Sequence, residues 1–77
     1  MNDLERRGLD VIAQVAEKDP ADLRPEQNLV GDLQIDSPKA LQLLLQLEEQ
    51  LEIEISDEEA AKMDTVGDVL ALLASRG

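Results

Sequence analysis

Two proline dipeptides divide this 77-residue chain and limit where its helices can lie. Proline pushes the residue before it out of the helical region, so Asp19-Pro20 ends whatever helix precedes it. Ser37-Pro38 does the reverse: Ser can cap free N–H groups, and Pro suits the first helical position, where its missing donor costs nothing. Between the breaks lies a long connection, to about residue 36, that also holds Pro25, Asn28 and Gly31. A connection of that length in a compact chain is functional or is packed down by its own apolar residues, here Leu23, Leu29, Val30, Leu33 and Ile35.

On both sides of it, apolar residues recur at helical spacing. Asn2 followed by Glu5 reads as an N-cap with its capping-box acid, and Leu4, Gly8, Val11, Ile12 and Val15 predict a first helix over about residues 3–17. After Ser37-Pro38, positions 40, 44, 47 and 51 share one face, with 41 and 45 beside it. Leu43 falls nearer the polar side, either as an exposed contact point or as a side chain partly covered near the loop. Glu52-Ile53-Glu54-Ile55 alternates like a strand, but no other segment offers it a pairing partner, so it reads as an extended link. Ser56 with Glu59 starts a short third helix to about Met63. Thr65 with Asp68 starts a last one that buries Val66, Val69, Leu70 and Leu73. The fold expected is all-α, a four-helix bundle with a long loop between helices one and two.

Composition then narrows the function. A chain this short has room for one small core and none for a cleft between two lobes. It contains no Cys, His, Phe, Tyr or Trp. That removes disulfides, thiolate nucleophiles, the usual general base, the usual transition-metal ligands and every aromatic platform for stacking bases. Two neighbouring acids without a cleft make an insufficient catalytic constellation, so an enzyme is not expected. The formal charge of −11 repels phosphate backbones and anionic membranes and favours partners with basic patches. No apolar run approaches the roughly 18 residues of a membrane span, and the N-terminus lacks an apolar signal core, so a cytoplasmic location, no membrane insertion and a monomer are expected.

One segment carries a resemblance. Asp32-Leu33-Gln34-Ile35-Asp36-Ser37-Pro38, a leucine-rich helix with Glu48-Glu49, and then Ile53-Glu54-Ile55-Ser56-Asp57-Glu58-Glu59-Ala60 resemble the acyl carrier proteins of fatty acid and polyketide synthesis. The likeness runs over the whole chain and implies a single acyl-carrier domain over residues 1–77. In that family a serine hydroxyl is linked to 4'-phosphopantetheine, whose thiol carries acyl groups as thioesters, and Ser37 matches that serine. A helix N-terminus suits a phosphate there. By the same resemblance Asp36 helps position the modifying phosphopantetheinyl transferase, and Glu48 and Glu49 match acids that contact basic patches of acyl-loading, condensing or transferring enzymes. On sequence alone those two acids are equally compatible with a solvated helix face.

A cargo pocket, carried over by position, would be lined by Leu29, Val30, Ile35, Ala40, Leu47, Ile55, Ala60 and Met63. All of these are also ordinary core residues. No resident metal is expected, although Asp57-Glu58-Glu59 could hold a hard cation weakly. The chain departs from the family at Gln34, where Gly is usual, at Pro38, where Leu is usual, and at Lys39 and Gln42, where acids are common. The entrance beside Ser37 is therefore less negative than the rest, which suggests a specialised pathway with its own docking enzymes. An aminoacyl, peptidyl or D-alanyl carrier shares the same site, and an unmodified acidic interaction module shares the bundle.

Overall fold

The computed structural model describes residues 2–76, and each helix in it begins at a side chain that satisfies free N–H groups. Asn2 opens α1 (Asp3–Ala16) through a capping box: its Oδ1 accepts from the Glu5 N–H at 2.8 Å, and Glu5 Oε1 accepts from the Asn2 N–H at 2.9 Å. The helix ends at Glu17 in the left-handed conformation, and a single 3-10 turn follows at Pro20–Asp22. α2 (Ser37–Leu51) is capped by Asp36, not by Ser37 as expected. Asp caps as well as Ser does, and the second helical position tolerates Pro as readily as the first, because neither has an intrahelical acceptor for its N–H. Ser37 is thus the first helical residue and Pro38 the second.

α3 (Asp57–Ala61) starts on the Ser56–Glu59 capping box and is shorter than the sequence predicts. Lys62 and Met63 donate to Glu59 and Ala60 three residues back, both at 3.1 Å, so the chain tightens and leaves the helix before Met63. α4 (Val66–Arg76) begins where Thr65 Oγ1 accepts from the Asp68 N–H and Asp68 Oδ2 accepts from the Thr65 N–H, each at 3.1 Å. No β-strand occurs among the described residues, and the link expected over 52–55 runs over 53–56, because Glu52 closes α2 in the left-handed conformation.

α1 is the centre of the bundle and packs on both α2 and α4. Ile12, Leu47, Val66, Val69 and Leu73 are wholly buried. Gly8 sets the approach of α1 to α4, since a Cβ there would run into the Leu73 side chain. The buried stripe of α2 differs from the one read in the sequence. Leu43, Leu47 and Leu51 form it, Leu44 is half-buried, and Ala40, Leu41 and Leu45 are exposed. The helix carries leucines at 41, 43, 44, 45, 47 and 51, so several faces are apolar enough to serve, and tertiary packing chooses among them.

The long connection is packed down by Leu23, Leu29, Leu33 and Ile35, as expected, while Val30 is 66% exposed on the outside of a turn. That turn is closed by the Asp32 and Leu33 N–H groups, both donating to the Asn28 carbonyl, and by the Asn28 N–H donating to Asp32 Oδ2 at 2.6 Å. Three backbone bonds then stitch the loop to the α3–α4 link and the first turn of α4: Leu29 N–H to Asp64 O, Val66 N–H to Gln27 O and Gly67 N–H to Pro25 O, at 2.9, 3.0 and 2.9 Å. Gly67 permits the last, because a Cβ there would lie only 3.0 Å from the Pro25 carbonyl oxygen.

Gln34, where the resembled family usually places Gly, has φ of 57°. A left-handed residue with a side chain costs about 1–2 kcal/mol, against which Gly loses about 0.5–1 kcal/mol in unfolded-state entropy. Gln34→Gly is therefore expected to stabilise the fold by about 0.5–1 kcal/mol and raise the melting temperature by a few degrees. Thermal unfolding followed by circular dichroism checks this, and an unchanged or lower midpoint would contradict it.

Candidate functional site

Ile35 is 1% exposed and its N–H donates to the Leu29 carbonyl at 2.9 Å, so the residue two before Ser37 is fixed in the core. Asp36 then caps α2, its Oδ1 accepting from the Lys39 N–H at 3.2 Å. This leaves Ser37 exposed at the first position of the helix with its hydroxyl free of capping duty. The other two serines are engaged. Ser56 Oγ accepts from the Glu59 N–H and donates to Glu59 Oε1, and Ser75 Oγ donates to the Leu72 carbonyl at 2.7 Å. The expected supply of free N–H groups at this helix start is smaller than the sequence suggests, since Pro38 has none and Asp36 takes that of Lys39. What remains for an anion is the Ser37 N–H and the positive end of the helix dipole.

Around Ser37, Pro38 and Gln42 are exposed. Lys39 Nζ pairs with Glu17 Oε2 at 3.5 Å, with both side chains well exposed, a contact worth little in stability. Glu49 points to solvent, but Glu48 is half-buried, which corrects its placement on the outer face. Its Oε2 accepts from the Ile55 N–H at 3.0 Å and its carbonyl accepts from Ile53, so Glu48 braces the extended link.

A cavity of about 210 Å³ opens between α2, the long loop and α3. The structure brings together six of the eight residues assigned to a pocket: Leu29, Val30, Ile35, Ala40, Ala60 and Met63. Leu47 and Ile55 do not line it; they are buried in the core elsewhere. Leu41, Leu43 and Leu44 line it and were missed. A usable signal lay in the spacing from Ser37: residues 40, 41 and 44 are three, four and seven positions on, hence on the Ser37 face of the helix. Leu41 and Leu45, on the same side, are 58% and 54% exposed.

α3 supplies Ala60 to the wall and has only five residues, so it depends on its ends. Arg76, in the last turn of α4, donates to both carboxylate oxygens of Glu59 at 2.6 and 2.7 Å and also to the Glu54 carbonyl. Glu59 thereby serves the α3 capping box and this pair at once. Among the described residues no group of three acidic side chains is arranged to hold a metal ion, and no helix is long and apolar enough to cross a membrane.

Residues 9–73 match the family described as the phosphopantetheine attachment site. The chain is also similar to the solved structure of "a putative acyl carrier protein" from Mycobacterium tuberculosis. The two are 34% identical, the match covers 96% of this chain and 99% of that one, and the TM-score is 0.86.

The Glu59–Arg76 pair makes α3 sensitive to acid. The Arg76 hydrogen bonds, and then that from the Ser56 backbone, hold the Glu59 carboxyl below its usual value of 4.5. Its contribution is therefore complete above that value and is lost as pH falls through the lower, folded value. The Ala60 methyl signal in NMR is expected to move as pH drops from 4.5 downward, and Arg76→Ala is expected to loosen α3 already at neutral pH. A Glu59 titration that Arg76→Ala leaves unmoved would contradict the pairing.

Proposed function

The chain belongs to the phosphopantetheine-dependent acyl carrier family, whose members carry a 4'-phosphopantetheine prosthetic group, and on that premise we propose that Ser37 is its attachment point. The observation that supports this most is the contrast among the three serines: Asp36 does the capping, so the Ser37 hydroxyl alone is exposed and uncommitted at a helix start. Nothing covers the hydroxyl, the dipole end beside it favours a phosphate, and an apolar cavity begins one turn away on the same face, so the residues present fit the group. When bound, the arm supplies a terminal thiol that holds acyl groups as thioesters, chemistry that a chain without Cys or His cannot supply itself.

The protein's own part is presentation. Asp36 fixes the direction of the helix start and stands beside the hydroxyl where a phosphopantetheinyl transferase works. Leu41, Leu45 and Glu49 form an exposed apolar and acidic face with Pro38, Lys39 and Gln42 at its entrance, suited to acyl-loading, condensing or transferring enzymes with basic docking patches. The chain acts as a cytoplasmic carrier in fatty acid or related lipid or polyketide synthesis, without catalysing a step. The weaker acidity at Lys39 and Gln42 favours a dedicated pathway.

Intact mass after incubation with coenzyme A and a phosphopantetheinyl transferase tests the attachment. The wild type, Ser56→Ala and Ser75→Ala are expected to gain one arm, and Ser37→Ala none. An unmodified wild type, or a modified Ser37→Ala, would overturn it.

A further inference from the structure

Residues 56–65 form the longest stretch of the described chain without a buried side chain, and α3 lies within it. Ala60 and Met63 are only half-buried against the core, so apolar contact holds this stretch weakly. Its two ends are fixed. Ile55, 7% exposed, sits in the core, and its N–H donates to Glu48 Oε2 at 3.0 Å. At the other end the Asp64 carbonyl accepts from the Leu29 N–H at 2.9 Å, and the Asp64 N–H donates to Asp68 Oδ2 at 3.1 Å. Between these anchors, Arg76 is the one residue of another helix that hydrogen-bonds α3, among the described residues. We propose that the Glu54 carbonyl and the Glu59 carboxylate form a guanidinium-binding site that Arg76 fills from α4, and that its occupancy keeps α3 closed as a strap between Ile55 and Asp64.

The ligand class follows from the donors the site uses. Both terminal nitrogens of Arg76 are engaged: Nη2 donates to the two Glu59 oxygens at 2.6 and 2.7 Å, and Nη1 donates to the Glu54 carbonyl. A planar fork of N–H groups meets acceptors on two separate residues in this way, whereas an ammonium is a single point charge without that geometry. The two acceptors belong to different parts of the chain. Glu54 adjoins the anchored Ile55, while Glu59 stands on α3, so one guanidinium ties the strap to both the link and the end of α4. The site lies in a cleft that Glu48, Ile55 and Ser56 also line, with the Arg76 and Glu59 side chains 27% and 34% exposed. A small cation can therefore enter from solvent once the Arg76 side chain is removed. With the site empty, α3 swings out between its anchors and carries Asp57, Glu58 and Ala60 with it, while α1, α2 and α4 keep their packing on one another.

Amide hydrogen exchange on the full, unmodified chain tests both parts. Arg76→Ala is expected to speed exchange at Ala60 and Lys62, whose N–H groups close α3, by about ten- to a hundredfold. Ile55 and Leu29, the donors at the two anchors, are expected to keep their wild-type rates. Arg76→Lys is expected to fall between, since it restores the charge without the fork. Methylguanidinium at roughly 10–100 mM is expected to slow Ala60 and Lys62 again in Arg76→Ala, while methylammonium or potassium chloride at the same concentration does not. Unchanged exchange at Ala60 and Lys62 in Arg76→Ala would overturn the inference, as would equal acceleration at Ile55 and Leu29. Recovery that methylammonium or the salt matches would overturn the guanidinium site, since charge alone would then explain it.

Discussion

A connection of some twenty residues between two helices orders only when burial and hydrogen bonding offset the backbone entropy it loses. Here Leu23, Leu29, Leu33 and Ile35 turn inward and leave water, and they do so against the rest of the core. The bonds from Leu29 to Asp64, Val66 to Gln27 and Gly67 to Pro25 satisfy backbone groups that this burial would otherwise strand. The Asp36 cap, the exposed Ser37 and two walls of the cavity all follow from that anchoring. Without it α2 would still form, but its first turn would have no fixed place relative to α3 and α4.

Charge is arranged in a complementary way. The basic residues are few, and two of them are committed to helix ends: Arg7 donates to the Gln50 carbonyl at 2.6 Å, and Arg76 to Glu54 and Glu59. The Arg7 contact places a cation at the C-terminal end of α2, where the dipole favours it, and Arg76 ties the last turn of α4 to the extended link and to α3. Most of the acids stay on the surface without an ionic partner, as a field that draws basic surfaces over a Debye length of about 8–10 Å and weakens with salt. The same like-charge field works against the compact state.

Much of this was legible in the sequence because capping chemistry is local. Asn2–Glu5, Ser56–Glu59 and Thr65–Asp68 each announced a helix start that the structure contains. At α2 the cap was read as Ser37, whereas Asp36, which caps equally well, takes the position in the structure. The distinction mattered, since the serine is released only because the aspartate caps. The buried face of α2 was misread for a related reason: a helix with leucine on nearly every side has no unique period, so Leu43 went in and Ala40, Leu41 and Leu45 stayed out. Val30 lies in a turn, where no periodicity applies. The Glu59–Arg76 pair joins residues 17 apart through the fold, and Glu48 braces Ile55 seven residues on; neither spacing has a local signature.

Amide hydrogen exchange at Leu29, Ile35 and Val66 reports on the anchoring most directly, because those N–H groups are the donors that hold the loop turn and the α3–α4 link. The account predicts protection in the same slow class as the buried amides of α1, such as Ile12. Exchange at these three positions near the rate of an unfolded chain, while α1 remains protected, would show that the loop opens independently and that the start of α2 is not held as described.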